Sequence, residues 1–109
     1  MAYDEVLAWR IRTLLVNEPT LTEKRMFGGL AFMVAGHMVV ATNSRGELMV
    51  RTAPADRDHP YLVQAQPVVM RGRELAGWLN LPSSAIADGE TLAAVVAHGL
   101  RFVRTLPAS

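Results

Sequence analysis

The 109-residue chain contains no cysteine. Disulfides, thiolate nucleophiles and cysteine-built zinc sites are excluded on composition alone, and such a chain suits a reducing cytoplasm. Aromatic residues are scarce, 6% of the total, too few for the stacking platform of a single-strand nucleic-acid binder. No sign of charge dominates: 11 Lys and Arg against 10 Asp and Glu leave a formal +1, with no broad pull toward nucleic acid or an acidic membrane. Long apolar runs are missing as well. The longest, Leu30 to Val40, is interrupted by Gly36-His37 and falls short of the roughly 18 residues that a membrane span needs. The N-terminal MAYDEVLAWRIRTLL places acids early and arginines within, unlike a secretory leader. The expectation is a cytoplasmic protein with no membrane association.

What is present is a hydrophobic half, 50% of the residues, enough for the core of one domain spanning 1–109. Residues 3–16 read as an amphipathic helix, with Tyr3, Val6, Leu7, Ile11, Leu14 and Leu15 near one stripe and acids in the first turn. Trp9 falls off that stripe and is a candidate for contact with another chain. Residues 24–34, 37–43 and 47–52 read as a meander of three strands, turned at Ala35-Gly36 and Asn43-Ser44-Arg45-Gly46. A short helix is expected near Ala55 to Asp58, stopped or kinked by Pro60. Strands 66–70 and 76–81 follow, joined through Arg71-Gly72-Arg73-Glu74. Asp88 caps a last helix whose apolar face is Leu92, Val95, Val96, Gly99, Val103 and Leu106. A glycine on that face costs about 1 kcal/mol against alanine, which predicts a close approach to the sheet. The order predicts a two-layer α+β domain, with a five-stranded antiparallel sheet and helices on one face.

The central strands carry too much apolar surface for that arrangement. A sheet covered on one face alternates apolar and polar residues. Here Leu30, Phe32 and Val34 oppose Ala31, Met33 and Ala35, while Met38 and Val40 oppose Val39 and Ala41, and Leu48 and Val50 oppose Met49. The second face is expected to be buried against another chain, a second copy being the simplest partner. Met33, Val39, Met49 and Trp9 are the candidate interface residues. Methionines adapt readily to irregular partners, so a ligand groove is a further reading.

Reactive constellations are not found. KRMFGGLAFMVAGHMVV, residues 24–40, carries a glycine pair, but Lys24 precedes it and an apolar run follows. A phosphate loop would place Lys and Ser or Thr after the glycines. Glycines in such a pattern mark a bulge, bend or close backbone approach. His37, His59 and His98 have no metal-ligand spacing, and His98 is expected on the outer face of its helix. Asp56 and Asp58 in DRDH lack the distal Glu of a calcium loop and read as a solvated turn. Serines 44, 83 and 84 sit in no nucleophile elbow. No catalytic residue, cofactor or metal is assigned. Lys24, Arg25, Arg71 and Arg73 would contact phosphate only if both pairs share one sheet edge.

TEKRMFGGLAFMVAGHMVV, GELMVR, GWLNL and GLRFVRTLP resemble the N-terminal domain family of the TfoX/Sxy competence regulators over nearly the whole chain. The most specific element is Met26, Phe27, Gly28 and Gly29, reinforced by Gly36, Arg51 and Gly77-Trp78. The resemblance implies an α-β3-α-β2-α fold like that of the secretion-chaperone group. It also implies a non-catalytic domain with a regulatory protein partner, here a stand-alone member without the C-terminal helical domain. Three functional expectations follow: a homodimeric regulatory protein-interaction domain, a nucleic-acid-associated transcriptional regulator, and a small-molecule-binding domain.

Overall fold

The computed structural model describes residues 3–26 and 28–107. Helix α1 (Glu5–Leu14) starts at Asp4, whose carboxylate accepts the Leu7 amide. The strands β1 (Thr22–Met26), β2 (Gly29–Val34), β3 (His37–Thr42) and β4 (Leu48–Arg51) follow. A 3-10 turn at Pro60–Leu62 leads into β5 (Gln66–Met70) and β6 (Arg73–Leu81). The chain then forms a four-residue helix, α2 (Ser83–Ile86), and the long helix α3 (Gly89–Val103).

Among the described residues the sheet has six strands, one more than expected, in the order β1-β2-β3-β4-β6-β5. The extra strand comes from the stretch 24–34, which is two strands and not one bent strand. Met26 pairs with Gly29, so the chain reverses there, with Gly28 at φ +70°. A Cβ on Gly29 would lie 1.8 Å from the Thr42 carbonyl oxygen, so β2 starts against the backbone of β3. Phe27 of the family element lies outside the described residues.

Turn chemistry sets the other hairpins. Ala35 (φ 54°) and Gly36 (φ 82°) join β2 to β3, and Arg71 (φ 53°) and Gly72 (φ 76°) join β5 to β6. Positive φ at both central residues is the two-residue turn whose twist matches paired strands. The second turn is tighter than expected, because Arg73 and Glu74 already belong to β6. Pro60 opens the 3-10 turn instead of stopping a helix, since its missing N–H costs nothing at a first helical position.

Helices α1, α2 and α3 form one layer. Leu7, Ala8, Ile11 and Leu15 of the α1 segment and Leu92, Val95, Val96 and Val103 of α3 share a core with Leu30, Phe32, Val40, Leu48, Val50, Leu79 and Leu81 of the sheet. The α1 stripe is narrower than its composition predicts: Val6 and Leu14 are exposed. Val39 departs from simple alternation too. The β2–β3 register slips between Phe32 and Met33, leaving Val39 as the extra residue of a bulge. Val39 and Val40 are both fully buried in the core.

A second bulge shapes the far side of the sheet. Val69 pairs with Glu74, but Pro67 pairs with Leu79, so β6 spends five residues where β5 spends two. Gly77 lies inside this stretch at φ +86°, and its carbonyl accepts the Thr52 amide at 2.9 Å. Such bulges bend a strand and increase its twist.

Candidate functional site

Two places on the molecule gather polar and adaptable side chains. The first is the face of the sheet turned away from the helices. By register, Ala31, Ala41, Met49 and Asn80 occupy this face, across β2, β3, β4 and β6. Ala31 and Ala41 are buried, yet neither belongs to the core shared with the helices. A groove of about 250 Å³ lies here, with Ala41, Met49 and Asn80 along it, Met26 from β1 and Pro67 to Met70 from β5.

The edge strands β1 and β5 both border this groove, although they stand at opposite ends of the sheet order. In a flat sheet five spacings of about 4.8 Å would separate them by about 24 Å. The sheet is therefore curled, and its curl covers part of the face that composition left without a partner.

The groove is apolar along its floor and polar at one end. Three methionines, Met26, Met49 and Met70, line it, and each is half-buried. At the end, Asn43 holds the β3–β4 turn by accepting the Arg45 and Glu47 amides. Its amide donates to Glu47 at 3.0 Å, and Arg45 lies 3.1 Å from the same carboxylate. The Asn43 hydrogen bond, assisted by the Arg45 charge, lowers the Glu47 pKa below the usual carboxylate range. Among the described lining residues only Arg45 and Glu47 are ionisable, and they are engaged with each other.

The second place lies beside α3. His98 is 1% exposed, not on an outer helix face. Its Nδ1 faces Arg101 at 3.1 Å and the Tyr61 hydroxyl at 2.9 Å. A guanidinium only donates, so Nδ1 carries the lone pair and the ring proton sits on Nε2. That N–H donates to Thr52 Oγ1 at 2.7 Å. Thr52, itself fully buried, lies 3.1 Å from the carbonyls of Ala53 and Asp56, to which its own hydroxyl can donate. Burial pushes the His98 pKa down, and the nearby Arg101 and His59 charges push the same way against Asp56.

Asp56 and His59 complete this cluster. His59 Nε2 is 2.6 Å from Asp56 Oδ1, and the His59 ring stacks on Tyr61 with centroids 4.9 Å apart. The His59 hydrogen bond is the main cause that lowers the Asp56 pKa. DRDH is thus not a freely solvated turn: its first Asp and its His dock onto α3. Asp58 remains exposed. The sequence did contain a signal for His98, which follows Val95 by three residues and adjoins Gly99 on the buried face.

Of the four candidate interface residues only two share a face. Met33 and Met49 are half-buried on the outer sheet face, Val39 is in the core, and Trp9 is 63% exposed on α1 in the helix layer. Lys24 and Arg25 lie on β1 and Arg71 and Arg73 at the β5–β6 turn, at opposite ends of the sheet order, while their neighbours Met26 and Met70 line the same groove. Arg25 turns toward Tyr3, 5.9 Å from its ring centroid. Arg51 and Trp78, distant in sequence, form one unit. The Arg51 guanidinium lies 5.0 Å from the Trp78 ring and 5.1 Å from the Phe102 ring.

These features define a two-layer α+β domain with helices on one face of a curled antiparallel sheet and an open groove on the other. Residues 13–103 match the TfoX N-terminal domain, and the chain belongs to that family. It is in this sense a competence-regulator-like domain. No curated protein and no solved structure matches it.

Proposed function

We propose that this domain is a non-catalytic regulatory module that acts by binding protein through the outer face of its sheet, and that its first partner is a second copy of itself. The observation that carries this reading is the groove. It offers three half-buried methionines, a polar end and, among its described residues, no unengaged acid, base or nucleophile. Methionine side chains are flexible and polarisable, and they repack around different apolar partners. A stable pair buries roughly 800 Å² from each partner, so the contact extends from the groove across the neighbouring outer-face residue Met33. Membership of the TfoX N-terminal domain family supports a regulatory role over an enzymatic one.

Light scattering of the purified chain at micromolar concentration tests the proposal. The expected result is a dimer that Met49→Glu converts to a monomer with an unchanged circular dichroism spectrum. A wild-type monomer, or a dimer indifferent to Met49→Glu, would refute pairing through this face.

A further inference from the structure

The cluster beside α3 has the parts of a divalent-metal site, and we propose that Asp56, His59 and His98 bind zinc or a similar borderline cation. This stands apart from the outer-face groove and needs no dimer. One ligand atom from each of the three residues lies within 4.8 Å of the others. Zinc takes nitrogen and oxygen ligands at about 2.0–2.1 Å, which sets tetrahedral ligand atoms about 3.4 Å apart. Closing that difference needs modest movement of Asp56 and His59, which are only half-buried and belong to a loop.

The buried member is already prepared for coordination. Nδ1 of His98 holds a lone pair toward the cluster, because the neighbouring Arg101 can only donate to it. The opposite nitrogen gives its proton to Thr52. Metal-binding imidazoles are oriented in this way, with the second ring nitrogen donating to a fixed oxygen. Neutral His98 is also the form that a metal requires, and burial favours it.

Arg101 marks where the cation would sit. Its Nη2 approaches His98 Nδ1 at 3.1 Å, the Tyr61 hydroxyl at 3.3 Å and Asp56 Oδ2 at 3.5 Å. One positive group is thus shared by three acceptors. The Arg101 side chain is 54% exposed, so it can swing into water and yield the position to an ion. Tyr61 Oη or water would complete the coordination. His59 presents Nε2 toward Asp56 at 2.6 Å, and ligation through that nitrogen keeps the ring proton on Nδ1.

Isothermal titration of the full chain with zinc, and cobalt absorption spectroscopy, test the assignment. One zinc per chain is expected, with cobalt giving the intense visible bands of a tetrahedral site. Arg101→Ala should bind about tenfold tighter, because the competing charge is removed. Thr52→Val should weaken binding by about 10–100-fold through loss of His98 orientation. His59→Gln, at a half-exposed position that leaves the core intact, should abolish the cobalt bands, and His37→Gln should leave them unchanged. No uptake by either the native chain or Arg101→Ala would overturn the proposal. So would uptake that survives His59→Gln.

Discussion

Gly99 of α3 lies against Val39 of β3 so closely that a Cβ on the glycine would stand 2.7 Å from the Val39 carbonyl oxygen. The same Cβ would meet Val50 Cγ2 at 3.0 Å. This contact lets the longest helix settle onto the two central strands. Gly99→Ala gains about 1 kcal/mol in helix propensity. Backbone overlap outweighs that gain, since forcing even small groups into packed cores costs about 1–3 kcal/mol. A net loss of roughly 1 kcal/mol is expected in urea unfolding. A stabilised variant would show that the helix does not need this approach.

The two glycines of the Met26–Gly29 motif have different tasks and should respond differently. Gly28 needs its positive φ, but a Cβ there would meet nothing within 4 Å. Gly28→Ala should cost about 1–2 kcal/mol, the strain of a left-handed residue. Gly29 has no room at all, as its Cβ would overlap the Thr42 carbonyl. Gly29→Val should prevent a stable fold, visible as loss of cooperative thermal unfolding. Equal effects from the two variants would contradict the hairpin geometry.

Stability should depend on His98 in mildly acid solution. Its pKa in the fold lies below the ordinary value near 6.5, mainly because it is buried. The unfolded chain therefore takes up the proton first, and stability falls as pH drops below about 6.5. Above that pH the contribution is fully present. Urea midpoints measured from neutral pH down through this window should decline in the wild type and flatten in His98→Gln. A wild-type midpoint that rises on acidification would mean that the attraction of the Asp56 carboxylate for the His98 imidazolium outweighs burial.

Val39 and Met49 both come from the apolar excess of the central strands, yet they should behave oppositely. Val39 is sealed in the core, so Val39→Ala should lose about 1–3 kcal/mol on unfolding. Met49 lines the open groove, and Met49→Ala should change stability by under about 1 kcal/mol while weakening self-association. Denaturation paired with light scattering separates the two effects.

Much of the fold was legible because its signals are local. The Asp88 cap, the Ala35-Gly36 turn and the spacing of Leu92, Val95, Val96 and Gly99 each depend on a few neighbouring residues. The extra strand was hidden because the Gly28-Gly29 pair is compatible with either a bend or a reversal. Only the pairing of Met26 with Gly29 distinguishes them. The candidate sites were harder to read. Strict alternation placed Val39 on the outer face, but one bulge turned it inward. His98, expected on the outer helix face, is buried by partners that lie far off in sequence: Thr52 and Tyr61 are at least 37 residues away.

The sequence by itself determined the class: a cysteine-free, nearly neutral α+β domain with more apolar strand surface than one helix layer can cover. It also contained the family motif and the requirement for a glycine under α3. Only the tertiary structure decided where the excess surface went. Side-chain periodicity records which residues avoid water, but it carries no information about how strongly a sheet curls. Here bulges at Val39 and around Gly77 accompany a curl that brings β1 and β5 to one groove. The same folding closes Asp56, His59 and His98 into a cluster whose members, read along the chain, had no reason to meet.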